Sequence, residues 1–339
     1  MLRLSPSGRS NKNLGRIPPL ALVFFSISFL LQIVSVIQNN YSIAGDLAGL
    51  LTVGLGVFAA TRSHLDTLLR TFYLSSVTFI VLGWLTEILL PSGVSFESGF
   101  GFNLLGRRLT GLSAHPNVIG LLCALLFALA LIKYRNVLAA TFSLVTMIFT
   151  ENRGGLLAAV VILAIWAYSL EKRRHRVAAL SSITVLAFAI FSLFGSLREG
   201  ANDLTSGRLD IWSVCQSKIS QGHAFGFGPN TIARIFGVDT VDWFRPFHCH
   251  NQFLDDAVNF GVVLACLNLV GLLGVIYINL RKKQNVLLGI FIVFLTAEIF
   301  ESPIRLFASS GFLWINFCFY VFFFTSSRRS IELNQLSEK

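Results

Sequence analysis

The sequence predicts an all-α polytopic membrane protein with about ten transmembrane helices, and three observations carry that reading. The 339 residues are 54% hydrophobic and only 13% charged, where soluble globular proteins carry about 25% charged residues. Apolar runs recur at lengths that cross a bilayer as helices, which takes about 20 residues. Basic residues gather on alternate connections between those runs, the distribution expected of cytoplasmic loops.

The runs lie roughly at 18–38, 43–61, 67–90, 116–133, 136–150, 154–170, 177–196, 257–280, 285–300 and 306–325. The first follows Arg3, Arg9, Lys12 and Arg16. It is longer than the core of a secretory signal, and "QIVSVIQNNYS" offers no convincing cleavage site, so it reads as an uncleaved first helix. The fifth run is short and the ninth contains Glu298, so these two depart most from a lipid-spanning template. One long polar stretch, 197–256, precedes the eighth helix and reads as a periplasmic or outer loop. With the N- and C-termini in the cytoplasm, 18 of the 27 Lys and Arg but only four of the 17 Asp and Glu fall inside. The inner face then carries +14 and the outer −4, consistent with the total of +10. The basic runs "EKRRHR" and "NLRKK" are topogenic flanks on this reading, and no nucleic acid is expected as a partner. No internal repeat interrupts the chain, so 1–339 is expected to be a single membrane domain.

Cys123, Cys266 and Cys318 lie in predicted helices and are expected to pack there. Cys215 and Cys249 share the outer loop, where an oxidising compartment permits a disulfide; two free thiols are the other reading. No CxxC or Cys/His spacing suggests zinc. Trp84, Trp166 and Trp314 read as helix or interface residues.

The outer face carries the chemistry. Nine basic residues fall there against the topological preference, and they cluster. Arg107 and Arg108 precede the fourth helix, Arg153 sits in "TENRGG" between the fifth and sixth, and Arg208, Arg245 and Arg305 follow in "SGRLDIW", "WFRPFHCHN" and "ESPIR". Each alone is explained by helix capping or by a nearby acid, Glu151 for Arg153 and Glu301 for Arg305. Together, at headgroup depth, they point to a bound anion, because a guanidinium fork matches phosphate oxygens two at a time. "FHCHNQFLDD" adds His248, His250 and Asn251 at a helix start. A neutral histidine beside a bound anion can take a proton from a hydroxyl, and either His248 or His250 is a candidate base. Asp255 and Asp256 are better explained by the dipole at that helix start. A His-x-His pair is a weak metal signal, and no metal or cofactor is expected. "GHAFGFGPN" lacks the Gly-Lys-Ser/Thr ending of a phosphate loop and reads as a shaped structural turn.

The order "RLTGLSAHPNVIG", "NRGG", "GRLDIW…GFGPN" and "HNQFLDDAVNFGVVL" resembles the O-antigen ligase and O-antigen polymerase superfamily of polytopic bacterial membrane glycosyltransferases, over about residues 104–275. The resemblance implies a metal-independent transferase at the outer face of the inner membrane. The donor would be a glycan on undecaprenyl diphosphate and the acceptor a hydroxyl on a glycan or lipid core. By motif position, His250 would be the base, and Arg108, Arg153 and Arg208 would hold the diphosphate or its sugar, with Arg153 and Arg208 counted as catalytic. His115, Asn117 and Asn251 would line the substrate site with them. The chain departs from longer, roughly twelve-helix members, and polymerase and ligase both remain open. A polysaccharide-lipid transporter or flippase with a polar outer vestibule is the alternative; it would need ionisable groups or broken helices at the bilayer midplane, and the predicted helix centres are nearly free of charge.

Overall fold

The computed structural model describes residues 19–39, 47–89, 96–97, 107–113, 115–168, 208–236, 248–303 and 315–326. The predicted seventh helix, 177–196, lies outside the described residues, as do Arg245, Arg305, Trp314 and both termini. Among the described residues the regular elements are helices, apart from one antiparallel ladder, β1 (Phe96–Glu97) with β2 (Arg107–Arg108). The helices are α1 (Pro19–Gln38), α2 (Leu47–Arg62), α3 (Leu65–Leu89), α4 (Pro116–Ala128), α5 (Val137–Thr150), α6 (Arg153–Tyr168), α7 (Arg208–Ile219), α8 (Thr231–Ile235), α9 (Gln252–Phe260), α10 (Val262–Arg281), α11 (Asn285–Phe300) and α12 (Ile315–Ser326).

α4 is the central post. All 13 of its residues are buried, and it continues as a π-helical turn, Leu129–Tyr134. α5, α6, α11 and α3 surround it. Its sequence explains both its start and its position. His115 caps the first turn, Pro116 supplies a preset φ at the first helical residue, and the remainder is apolar on every face. Gly120 lets α6 approach, because a Cβ there would overlap the Asn152 side chain. α12 closes the bundle with aromatic edges, Phe319 lying 5.1 Å from Phe294 and 6.4 Å from Phe291.

The outer surface is apolar. Leu51, Leu55 and Phe58 on α2, Leu74 and Ile88 on α3, and Val263, Val270 and Tyr277 on α10 are all exposed. A belt of this kind has no place in water and belongs against lipid. Among the described residues, three segments are long and apolar enough to cross a membrane: Leu65–Leu89, Pro116–Tyr134 and Val262–Arg281. The 25 residues of α3 extend about 37 Å at 1.5 Å per residue. The remaining apolar helices are shorter.

The predicted eighth helix, 257–280, divides in two. Gly261 adopts φ 97° and ψ 157°, a conformation open to glycine, and it separates the short polar-faced α9 from the membrane-length α10. The predicted outer loop also contains structure that its polar composition does not announce, the helices α7 and α8. "GHAFGFGPN" folds against the end of α9: Phe227 and Gly228 donate backbone N–H groups to Val258 and Asn259 carbonyls at 2.8 and 2.9 Å. Gly226 passes so close to the Asn259 and Phe260 backbone that a side chain has no room. Cys215 and Cys249 form a disulfide tying α7 to the start of α9. Cys123 and Cys318 are buried, but Cys266 is exposed, on the lipid-side face of α10 with Val263 and Val270.

Candidate functional site

Residues from five separated parts of the chain meet at one end of the bundle. The α5–α6 turn supplies Glu151, Asn152 and Arg153. Glu151 ends α5 in the left-handed conformation, φ 52°, and Asn152 caps α6 by accepting the Gly155 N–H at 2.5 Å. The Asn152 amide also donates to the Asn117 carbonyl at 3.1 Å, fastening this turn to the start of α4. There His115 caps the helix through Nδ1, 3.1 Å from the Asn117 N–H. β2 delivers Arg108, whose Nε donates to the Thr150 carbonyl at 2.9 Å and whose Nη2 donates to Asn117 Oδ1 at 2.8 Å.

Glu301, just beyond α11, is the hub. Its Oε1 accepts from Asn117 Nδ2 at 2.5 Å and from Arg208 Nη2 at 2.6 Å. Its Oε2 lies 3.0 Å from His250 Nδ1. α7 begins at Arg208, so this segment reaches the site by the first residue of its helix. His250 precedes α9 with φ 49°, an uncommon conformation for a residue with a Cβ. It is held between Cys249, which is in the disulfide, and Asn251, which caps α9 by accepting the Leu254 N–H at 3.0 Å. Asn251 also donates to the Ile299 carbonyl at 3.0 Å, joining α9 to the end of α11. Backbone held in such a region costs about 1–3 kcal/mol and persists where its surroundings over-determine it.

The two histidines are not equivalent. His248 Nδ1 accepts the His250 N–H at 3.0 Å, and the rings lie 4.1 Å apart. His248 thus supports the turn, while His250 faces the carboxylate. His248, His250 and Glu301 offer ligand atoms within 4.8 Å of one another, a spacing that a metal ion could bridge. The Arg208 guanidinium on the same carboxylate puts a positive charge beside any such ion.

Burial shapes the electrostatics. It pushes the Glu301 carboxyl up, but the charges of His250 and Arg208, with the hydrogen bond from His250, outweigh it and hold the group well below the usual carboxylate range. Burial lowers His115 to about 4, opposed by Glu301 and reinforced by Arg108. Burial lowers Arg108 to about 10, with Glu151 and Glu301 opposing, so it stays charged at neutral pH. Arg153 lies near enough to Arg208 and Glu151 for both charges to act on it.

Six of the seven residues expected from sequence therefore belong to one hydrogen-bonded cluster: Arg108, His115, Asn117, Arg208, His250 and Asn251. The seventh, Arg153, is coupled to them electrostatically. The acids take further partners beyond those expected: Glu151, whose charge acts on Arg153, also lies 3.9 Å from Arg108, and Glu301 pairs with Arg208 from 93 residues away, while Arg305 lies outside the described residues. Glu301 was legible only as a neighbour of Arg305; nothing local in "ESPIR" marks a carboxylate that three distant segments share. Asp255 and Asp256 take structural partners, the Cys249 N–H for the first and Gln252 and Asn268 amides for the second.

Residues 137–269 match the family described as O-antigen ligase. That span holds Arg153, Arg208, His250, Asn251 and the disulfide, while Arg108, His115, Asn117 and Glu301 lie outside it. No curated protein matches the chain. The family match supports assignment to the O-antigen ligase and polymerase superfamily, and with it a role in glycan transfer.

Proposed function

We propose that this chain is a metal-independent glycosyltransferase whose Arg–His cluster lies at the outer face of the inner membrane. It moves a glycan from undecaprenyl diphosphate to an acceptor hydroxyl in O-antigen or exopolysaccharide assembly. The observation that carries the reading is the convergence on buried Glu301 of His250, Arg208 and Asn117, drawn from three sequence motifs. The catalytic region of residues 104–275 extends on this reading to Glu301.

The chemistry follows from the geometry. With Nδ1–H donated to Glu301 Oε2, His250 carries its lone pair on Nε2, where an acceptor hydroxyl can lose its proton. The acceptor oxygen forms a bond to the anomeric carbon, the bond from that carbon to the diphosphate oxygen breaks, and the electron pair leaves with the lipid diphosphate. Arg153 and Arg208 stabilise the charge that grows on it. Arg108 already spends donors on Thr150 and Asn117, so it positions the site and adds positive potential. His115 and Asn117 form the wall at the start of α4, and Asn251 fixes the turn that aims His250.

Mass spectrometry of polyprenyl-diphosphate glycans tests this in cells lacking the protein, complemented with wild type or His250→Ala. Single repeat units that accumulate without long chains indicate a polymerase. Full-length chains stranded on the lipid indicate a ligase. An unchanged outer-leaflet pool contradicts glycan transfer, and a pool trapped on the inner leaflet indicates a flippase instead.

A further inference from the structure

One helical turn below Glu301, a second polar site lies inside the apolar bundle. A cavity of about 40 Å³ is walled by aromatic side chains of α1 and α12 and by six polar residues: Ser28 and Gln32 from α1, Gln252 and Asp256 from α9, Asn268 from α10, and Glu298 from α11. Among the described residues, no Lys, Arg or His lines it. The Glu298 residue is only 2% exposed. Two carboxylates in so apolar a setting require compensation, because a buried charge without a partner is strongly unfavourable.

Asp256 is compensated. Its Oδ1 accepts from Gln252 Nε2 at 2.9 Å and its Oδ2 from Asn268 Nδ2 at 2.7 Å. Glu298 has no hydrogen-bond partner among the described residues. An independent orphan faces the same space: the Ser28 hydroxyl on α1 is buried without a partner. A hydroxyl oxygen, an amide oxygen and a carboxylate are the hard donors that small cations select. The volume suits an ion with one or two waters, each water needing at least about 10–15 Å³.

We infer that this cavity binds one small monovalent cation of sodium size, ligated by Glu298 and Ser28 and screened by Asp256. One ion is the stoichiometry that the volume admits: it pairs with Glu298, while the Gln252 and Asn268 amides supply the hydrogen bonds that Asp256 accepts. The ion joins α1 to α9 and α11. α9 follows the His250–Asn251 turn and α11 leads to Glu301, so an occupied cavity holds in register the two elements that carry the site above it.

The test is thermal unfolding of the purified full-length chain in detergent as sodium chloride replaces choline chloride at constant ionic strength, with equilibrium binding of radiolabelled sodium. The expected result is a saturable rise in the unfolding midpoint and one bound ion per chain. Glu298→Gln should abolish both, and Ser28→Ala should raise the half-saturating concentration severalfold. An equal midpoint in sodium and choline for the wild type overturns the inference, as does a sodium response that survives in Glu298→Gln. If Glu298→Gln does not fold, an unchanged half-saturating concentration in Ser28→Ala overturns it. These readouts are independent of glycan transfer.

Discussion

Glu301 accepts two hydrogen bonds on one oxygen and orients an imidazole with the other, all while buried. Removing a partner from such a cluster strands the rest. Glu301→Ala should therefore destabilise the fold by about 3–5 kcal/mol, the range for breaking a buried pair. Glu301→Gln keeps the shape and removes the charge. It should lower kcat by about 100-fold or more with a smaller change in KM, because a positioned base contributes about 10²–10⁴; an unchanged kcat for this variant would show that the carboxylate does not position His250. The depressed Glu301 carboxyl contributes stability above the ordinary carboxylate range, lost only as pH falls through its lower folded value. His115 acts nearer neutrality. Its folded state excludes the proton, so the stability it contributes is complete above about 6.5 and declines as pH falls toward about 4. His115→Asn preserves a capping side chain, and thermal melts across that window should show a smaller acid loss than in the wild type. The arginines and His250 were legible in the sequence because charged groups at a membrane boundary stand out against lipid. Their shared carboxylate was not, because the pairing spans 51 to 184 residues.

Helices were the most legible elements, since an apolar run in a charge-poor chain admits few alternatives. α1, α5 and α11 begin and end within about two residues of the predicted runs. The error fell where hydropathy is silent: α9 continues into α10 without a polar break, and only the glycine backbone at Gly261 separates them. α7 and α8 were missed for the opposite reason, because loop helices need no apolar run. Two element contacts can be tested. Gly120→Ala drives a methyl into Asn152, which holds Asn117 in place. The variant should lose most activity, and an unaffected rate would show that the α4–α6 contact is not required to position the site. The Cys215–Cys249 bridge closes 34 residues, a loop worth about 3–4 kcal/mol in the chain-entropy account. Reduction should lower the midpoint and the rate together, since Cys249 adjoins the left-handed His250. A rate insensitive to reductant would place the control of His250 in Asn251 and Glu301 instead.

Across the whole molecule, chemistry is segregated to one end of an apolar bundle. α4 runs from His115 to Lys133 and α11 from the Lys282–Lys283 turn to Glu301, so each helix joins a basic end to the end where the arginines meet acids and histidine. Lys133 at the far end is paired with Asp66 at 2.6 Å. Such polarity suits a membrane enzyme that works at one face, and the carboxyl groups of Asp256 and Glu298 sit close beneath that face rather than along a path through the bundle. The most direct test is turnover by the purified protein. Wild type and His250→Ala are incubated in detergent with a defined glycan on undecaprenyl diphosphate and an acceptor glycan, and released lipid diphosphate is quantified by chromatography. The expected result is release coupled one-to-one to acceptor extension by the wild type without added metal, and a rate lower by about 10²–10⁴ in a folded His250→Ala protein. Equal rates for the two proteins would contradict the role assigned to His250, and no release by a folded wild type supplied with either a glycan or a lipid-core acceptor would contradict glycan transfer itself.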